Sequence, residues 1–157
     1  MDTSRRDVLK AGGGMTLMSL LVAAGWLAPG DAAAQAWNKA AFEAKSLDET
    51  MKALGGGTAA QSKDIAFGST PDIAENGAVV PISVSSSIPK TESIAILIEK
   101  NPNMLAASFD LPAGTDPSIG TRVKMSQSSN VYAVVKADGK YYVASKEIKV
   151  TLGGCGG

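Results

Sequence analysis

The residues best placed to do chemistry are the last five, Gly153-Gly154-Cys155-Gly156-Gly157, which hold the only cysteine of the chain. A thiol can act as a nucleophile, a metal ligand or a point of covalent attachment, and its surroundings decide which. Here the surroundings are glycine on both sides. Glycine imposes no backbone conformation and presents no packing surface, so no general base or oxyanion donor can be held in place around this sulfur. Nothing within the segment favours the thiolate either, so activation has to come from whatever visits it. The pattern suits presentation: small neighbours let the sulfur and anything attached to it enter a narrow channel of another protein. Fully extended, the segment carries Cys155 on the order of 10 Å beyond the preceding strand.

Other roles for a lone cysteine fit less well. A glycine-flanked thiol at this position is not expected in a core, and the prenylation motif needs three residues after the cysteine where Gly156 and Gly157 follow. A crosslink between chains stays open, because an odd exported cysteine often pairs with another molecule. Four glycines supply mobility where such a bridge gains from fixed geometry. Two classes therefore stand side by side: a covalent carrier, and an exported β-sandwich structural or adhesin-type module joined by an intermolecular disulfide.

Composition narrows the field further. The 157 residues contain 15 Lys plus Arg, 15 Asp plus Glu and no His. With no net charge to draw it to polyanions, the chain is expected to bind neither nucleic acid nor a membrane surface. Lack of histidine removes the commonest general base and zinc ligand, so self-contained hydrolase and metal readings lose most of their weight, and no catalytic residue, metal site or cofactor is singled out.

The first 36 residues read as an export address. Ser4-Arg5-Arg6 followed by Leu9-Lys10 forms a twin-arginine pattern ahead of an uncharged apolar run to about Leu27. Pro29-Gly30 breaks that run, and Ala32-Ala33-Ala34 and Ala34-Gln35-Ala36 both fit a cleavage site, so removal after Ala34 or Ala36 and a periplasmic location are expected.

The remainder must position the thiol. Residues 37–57 read as one amphipathic helix and a linker: Asn38 can cap, Ala41, Phe42, Leu47, Met51 and Leu54 share a face, and Gly55-Gly56-Gly57 ends it. Residues 58–152 read as strands. Val80, Ile82 and Val84 alternate with polar residues, Ile94, Ile96 and Ile98 and then Leu105, Ala107 and Phe109 form further runs, and Val123 and Met125 alternate with Arg122 and Lys124. Val131 to Lys136 meets Tyr141 to Ser145 across Asp138-Gly139, a pair suited to a tight hairpin, and Ile148, Val150 and Leu152 form a last strand running into Gly153. The fold class is all-β, an immunoglobulin-like antiparallel β-sandwich with one N-terminal amphipathic helix and a flexible glycine arm over 153–157. Pro71 to Gly77 reads as a turn. Ile94 to Ile98 and Leu105 to Phe109, apolar on both faces, read as core ahead of partner surface, and Ser85-Ser86-Ser87 and the loop Pro112 to Gly120 are candidates to face visiting enzymes.

Twin-arginine leader, short helix, sandwich and terminal GGCGG together resemble the SoxY family, the substrate carriers of the periplasmic sulfur-oxidising (Sox) system. The wording Ala36-Trp37-Asn38 and Pro71-Asp72-Ile73-Ala74-Glu75-Asn76-Gly77 agrees as well. The resemblance implies that Cys155 is the site of covalent substrate attachment and that Gly153, Gly154, Gly156 and Gly157 are its swinging arm. It implies a heterodimer with SoxZ. It also implies transient visits by SoxXA, a haem enzyme that couples thiosulfate to the sulfur, by SoxB, a hydrolase that releases sulfate, and, in organisms that have it, by a sulfane dehydrogenase.

The leader reading is testable alone. Replacing Arg5 and Arg6 by Lys should hold the precursor in the cytoplasm, as read by fractionation; normal periplasmic yield would contradict it.

Overall fold

A sandwich follows from these alternating segments once each inward row finds a facing row. The structure is a computed structural model that describes residues 38–152. The expected leader over 1–36, Trp37 and the expected arm over 153–157 lie outside those residues. In chain order come α1 (Lys39–Glu43), α2 (Leu47–Ala53), β1 (Ala60–Gln61), β2 (Ile65–Phe67), β3 (Ile73–Asn76), β4 (Val80–Ser86), β5 (Thr91–Ile98), β6 (Leu105–Asp110), β7 (Ser118–Val123), β8 (Ser129–Ala137) and β9 (Lys140–Leu152). One sheet has the order β1-β9-β8-β5-β6, with β3 also on β9, and the other has the order β2-β4-β7.

Period-two alternation explains which side chains meet between the sheets. On β5 and β8, Ile94 faces Val135, Ile96 faces Ala133 and Ile98 faces Val131, and all six are buried. From the smaller sheet Val80, Ile82, Val84, Ile119 and Val123 close over them, with Met125 just beyond β7. The intervening residues of β5 and β8 point the other way, and they are apolar too. Ala95, Leu97 and Val134, with Val143 of β9, pack under Ala41 of α1 and Met51 of α2. Burial on both faces is why Ile94–Ile98 carries an unbroken apolar run, as expected for core. The run Leu105 to Phe109 behaves differently: β6 is an edge strand on which only Leu105 is buried, while Ala107 and Phe109 are half-buried.

The helical segment departs from the expectation of a single helix. Asn38 caps α1 as anticipated, its side chain accepting from the Ala41 N–H at 3.1 Å. The chain then turns extended at Ala44 and restarts behind Ser46, whose Oγ accepts from the Glu49 N–H at 3.2 Å while Glu49 Oε2 accepts from the Lys45 N–H at 3.1 Å. Ser46-Leu47-Asp48-Glu49 has the spacing of a capping box, and that reciprocal pair starts a second helix rather than continuing the first. After α2, Gly55 takes a left-handed φ of +83°, and a Cβ on Gly56 would fall 2.8 Å from the Tyr141 ring. Tyr141 Oη donates to the Leu54 carbonyl at 2.7 Å, so two glycines let the helix end seat on β9.

Two further points refine the strand reading. The stretches Tyr141 to Ser145 and Ile148 to Leu152 are one strand, β9, pairing with β8 without interruption from Ala137 opposite Lys140 to Ser129 opposite Ile148. Pro71 to Gly77 is not simply a turn, since Ile73–Asn76 forms β3 and pairs parallel with β9. β1 pairs parallel with β9 as well, so not every ladder of the sandwich is antiparallel.

The β8–β9 hairpin turns at Asp138 (φ 48°) and Gly139 (φ 73°), as that residue pair predicts. Lys136 Nζ stands 2.8 Å from Glu92 Oε2, and Lys90 Nζ stands 3.0 Å from Asp138 Oδ1. The Lys136 hydrogen bond, then the Gly139 N–H, holds the Glu92 carboxyl below its ordinary range, and the Lys90 hydrogen bond does the same for Asp138. A carboxyl depressed in the folded state stabilises the fold above its unfolded pKa and loses that contribution as pH falls through its folded value. Stability should therefore decline in acid, below about pH 4. Glu92→Gln should lower the melting temperature slightly near neutrality and by progressively less as the pH is taken down through the folded-state titration of Glu92, as thermal unfolding across an acid series would show.

Candidate functional site

Cys155 and the four glycines lie outside the described residues, so the site is approached from the strand that leads to them. That strand, β9, holds its last residues in a way the sequence only partly announces. Val150 pairs with Ala74 and Leu152 with Asn76 on one side. The Gly77 N–H donates to the Leu152 carbonyl at 2.7 Å, and Thr151 Oγ1 donates to the Glu75 carbonyl at 2.9 Å. On the other side β8 has already ended its ladder, and the Ser128 side chain takes its place: Ser128 Oγ accepts from the Val150 N–H at 2.9 Å and stands 3.4 Å from the Val150 carbonyl. A hydroxyl thus stands in for a strand at the one position where the backbone partner has run out.

The entry to β3 is fixed by Asp72. Its carbonyl accepts from the Lys149 N–H at 2.9 Å, and Lys146 Nζ reaches its carboxylate at 3.0 Å and the Thr70 carbonyl at 2.5 Å. Asn76 Oδ1 accepts from the Ala78 N–H at 2.8 Å, an Asx turn that swings the chain from β3 into β4, as expected for Asn76-Gly77. The Gly77 carbonyl accepts from the Met125 N–H at 2.7 Å. Leu152, Gly77 and Met125 are therefore linked in one hydrogen-bonded row. Met125 is fully buried, while Leu152 and Val79 at this end are 69% and 56% exposed.

Loops that looked available to visitors stand elsewhere. Ser86 is buried, with its Oγ 3.0 Å from Thr91 Oγ1 and accepting from the Ile88 N–H at 3.2 Å, so it closes the β4–β5 turn. Within the loop Pro112 to Gly120, residues from Ser118 onward belong to β7 and Ile119 is in the core. The Ser86 N–H donates to Pro117 and the Leu111 N–H to Glu92, which places both loops at the hairpin end of the sandwich. β9 runs from that end to Leu152, and its thirteen residues span roughly 40 Å at about 3.3 Å each.

What sequence reasoning did not single out is the fastening of β9: Ser128, Thr151 and the β3 strand. It also passed over a groove of about 440 Å³ between the edge strands β6 and β7, walled by Asn101, Asn103, Ala107, Thr121, Arg122 and Lys124. Among the described residues no group of three or more His, Cys, Asp or Glu is placed to hold a metal ion, and no helix is long and apolar enough to cross a membrane.

Ser128→Ala tests the fastening. Loss of one hydrogen bond, worth about 1 kcal/mol, should speed amide exchange at Val150 several-fold while amides of β5 and β8 keep their protection. Equal acceleration throughout would show that Ser128 supports the whole sandwich instead.

A family model described as "Sulfur oxidation protein SoxY" matches residues 50–155, from the second helix through Cys155. The sulfur carrier protein SoxY from Chlorobium limicola f thiosulfatophilum superposes with a TM-score of 0.57 at 38% identity, covering 64% of this chain and 93% of that one. A superoxide reductase (neelaredoxin) from Ignicoccus hospitalis superposes with a TM-score of 0.47 at 19% identity, over 55% of this chain and 78% of that one, a likeness too slight to bear on fold or function. No curated protein matches the chain. With a matched span that reaches from α2 along every strand to the cysteine, the chain belongs to the SoxY family of sulfur oxidation proteins.

Proposed function

We propose that this protein is a periplasmic carrier that holds thiosulfate-derived sulfur covalently on Cys155 and presents it in turn to the enzymes of the Sox system. The observation that supports the reading most is the extent of the family match, which ends on Cys155 itself. The sandwich adds a physical reason. β9 is fastened up to Leu152 on its β3 edge and up to Val150 on the other, and Cys155 follows Leu152 three residues later, separated by two glycines.

In this reading a sulfur–sulfur bond forms between Sγ of Cys155 and the outer sulfur of thiosulfate. The thiol proton passes to solvent, and two electrons pass to the haem oxidant, SoxXA. Water then cleaves the terminal sulfonate as sulfate at SoxB, leaving a persulfide on the arm for a sulfane dehydrogenase where one exists. The carrier supplies attachment and effective concentration, and the visitors supply catalysis. A heterodimer with SoxZ and export by the twin-arginine route belong to the same proposal.

Two variants test it in a reconstituted thiosulfate-oxidising system. Cys155→Ser should unfold at the same temperature as the parent, because the core closes within the sandwich, and should support no thiosulfate-dependent electron transfer. Deleting Gly153 and Gly154 draws the sulfur back by roughly 7 Å, which should cut turnover strongly while leaving the thiol reactive toward small reagents. Full turnover by Cys155→Ser would overturn the carrier reading. Loss of a covalent dimer with turnover unchanged would instead favour a structural disulfide.

A further inference from the structure

The turn between β3 and β4 carries a residue pair with a chemistry of its own. Among the asparagines, Asn38 is followed by Lys, Asn101 by Pro, Asn103 by Met and Asn130 by Val, and Asn76 alone is followed by Gly. An asparagine can be attacked at Cγ by the next residue's backbone nitrogen, closing a five-membered imide. A side chain on that next residue shields the nitrogen and restricts the backbone, proline has no N–H to lose, and glycine imposes neither limit. Asp138-Gly139 offers the same backbone, but Lys90 Nζ at 3.0 Å keeps its carboxyl ionised, and a carboxylate is a poor target for a nucleophile.

Local geometry brings the reacting atoms of Asn76 and Gly77 together and also restrains them. Asn76 is exposed at the end of β3, and its Oδ1 accepts from the Ala78 N–H at 2.8 Å, which curls the side-chain amide along the Asn76–Gly77 peptide. Gly77 is buried, and its N–H, the proton that must leave, donates to the Leu152 carbonyl at 2.7 Å. A nitrogen held in that bond keeps its proton from hydroxide, so ring closure has to wait until Leu152 swings away. The restraint lies where strands open first, at an end. Leu152 is 69% exposed, the β8 ladder stops at Ile148, and the nearest side-chain support on the β3 edge is Thr151 Oγ1, which donates to the Glu75 carbonyl at 2.9 Å.

We propose that Asn76-Gly77 is a deamidation site gated by the hydrogen bond between Gly77 and Leu152. The Gly77 nitrogen bonds to Asn76 Cγ, the Cγ–Nδ2 bond breaks, and Nδ2 leaves as ammonia with the Gly77 proton. Water then opens the imide at either carbonyl, giving aspartate or isoaspartate with no change of oxidation state. Either product adds a negative charge to the turn. While the imide lasts, Gly77 has no N–H to offer Leu152. The isoaspartate carries one extra backbone carbon ahead of Gly77, which takes the Gly77 N–H out of line with the Leu152 carbonyl. Opening of the strand end is thereby made permanent, and the firm part of β9 retreats from Leu152 to Val150, which Ser128 still holds. This chemistry is independent of what Cys155 carries.

The test ages the protein, alkylated at Cys155 to exclude disulfides, at mildly alkaline pH. Peptide mass spectrometry follows the gain of about 1 Da at each asparagine, and electron-transfer fragmentation separates isoaspartate from aspartate. Asn76 should convert ahead of Asn103 and Asn130, and several-fold more slowly than in the same protein unfolded in urea. Thr151→Val and Ser128→Ala, which each remove one hydrogen bond from the end of β9, should speed conversion several-fold. Ile96→Val, which weakens the core away from that end, should leave the rate unchanged. In converted protein the amides of Thr151 and Leu152 should exchange faster while those of β5 and β8 keep their protection. Asn76→Gln protein, whose side chain would have to close a larger ring, should age with neither change. Conversion of Asn76 no faster than that of Asn103 or Asn130 would overturn the site. Equal rates in folded and unfolded protein would overturn the gate, as would a Thr151→Val rate that is unchanged or matched by Ile96→Val.

Discussion

The structure depends on one strand having a hydrogen-bond partner along its whole length. β9 borrows from β8 on one edge, from β1 and β3 on the other, and from the Ser128 hydroxyl where β8 stops. A strand with loose ends would fray, and with it the point from which the terminal segment departs. Because the last described residue, Leu152, is still bonded to Gly77, order is maintained to within three residues of the thiol. The sequence passes from full backbone pairing to glycine with no intermediate stretch.

That strand can be held so firmly because the sheet beneath it is buried twice. Ile94, Ile96 and Ile98 face the smaller sheet, while Ala95 and Leu97 face α1 and α2. Truncating any of these isoleucines would cost about 2–5 kcal/mol, a large part of a domain's net stability. The helices complete the core, and the Tyr141 hydrogen bond to Leu54 ties them to β9 itself. Core and terminus are thus joined through one element: the residues that bury the sheet also fix where β9 ends, at Leu152.

Much of this was legible in the sequence because it rests on local period. The alternating valines and isoleucines of β4, β5 and β8 and the Asp138-Gly139 turn carry their own signal. β3 does not, since of Ile73-Ala74-Glu75-Asn76 only Ala74 turns into the core, and the pairing that makes it a strand comes from β9, more than seventy residues later. The helix break was present in the spacing of Ser46 and Glu49, but the continuous apolar face from Ala41 to Leu54 masked it. At the terminus, the glycines around Cys155 are a signal that needs no tertiary structure to be seen. The fastening of β9 could not be found that way, because Ser128 looks like any loop serine until Val150 is placed beside it.

The central claim is that Cys155 bears sulfur intermediates in the working protein. Peptide-level mass spectrometry of protein taken from cells oxidising thiosulfate tests it most directly. The account predicts the peptide containing Cys155 with an added mass of about 112 Da for the thiosulfate-derived group, or about 32 Da for a single sulfur, each removable by reductant. An unmodified Cys155 throughout turnover, or one found only as a disulfide to a second copy of the same peptide, would contradict it.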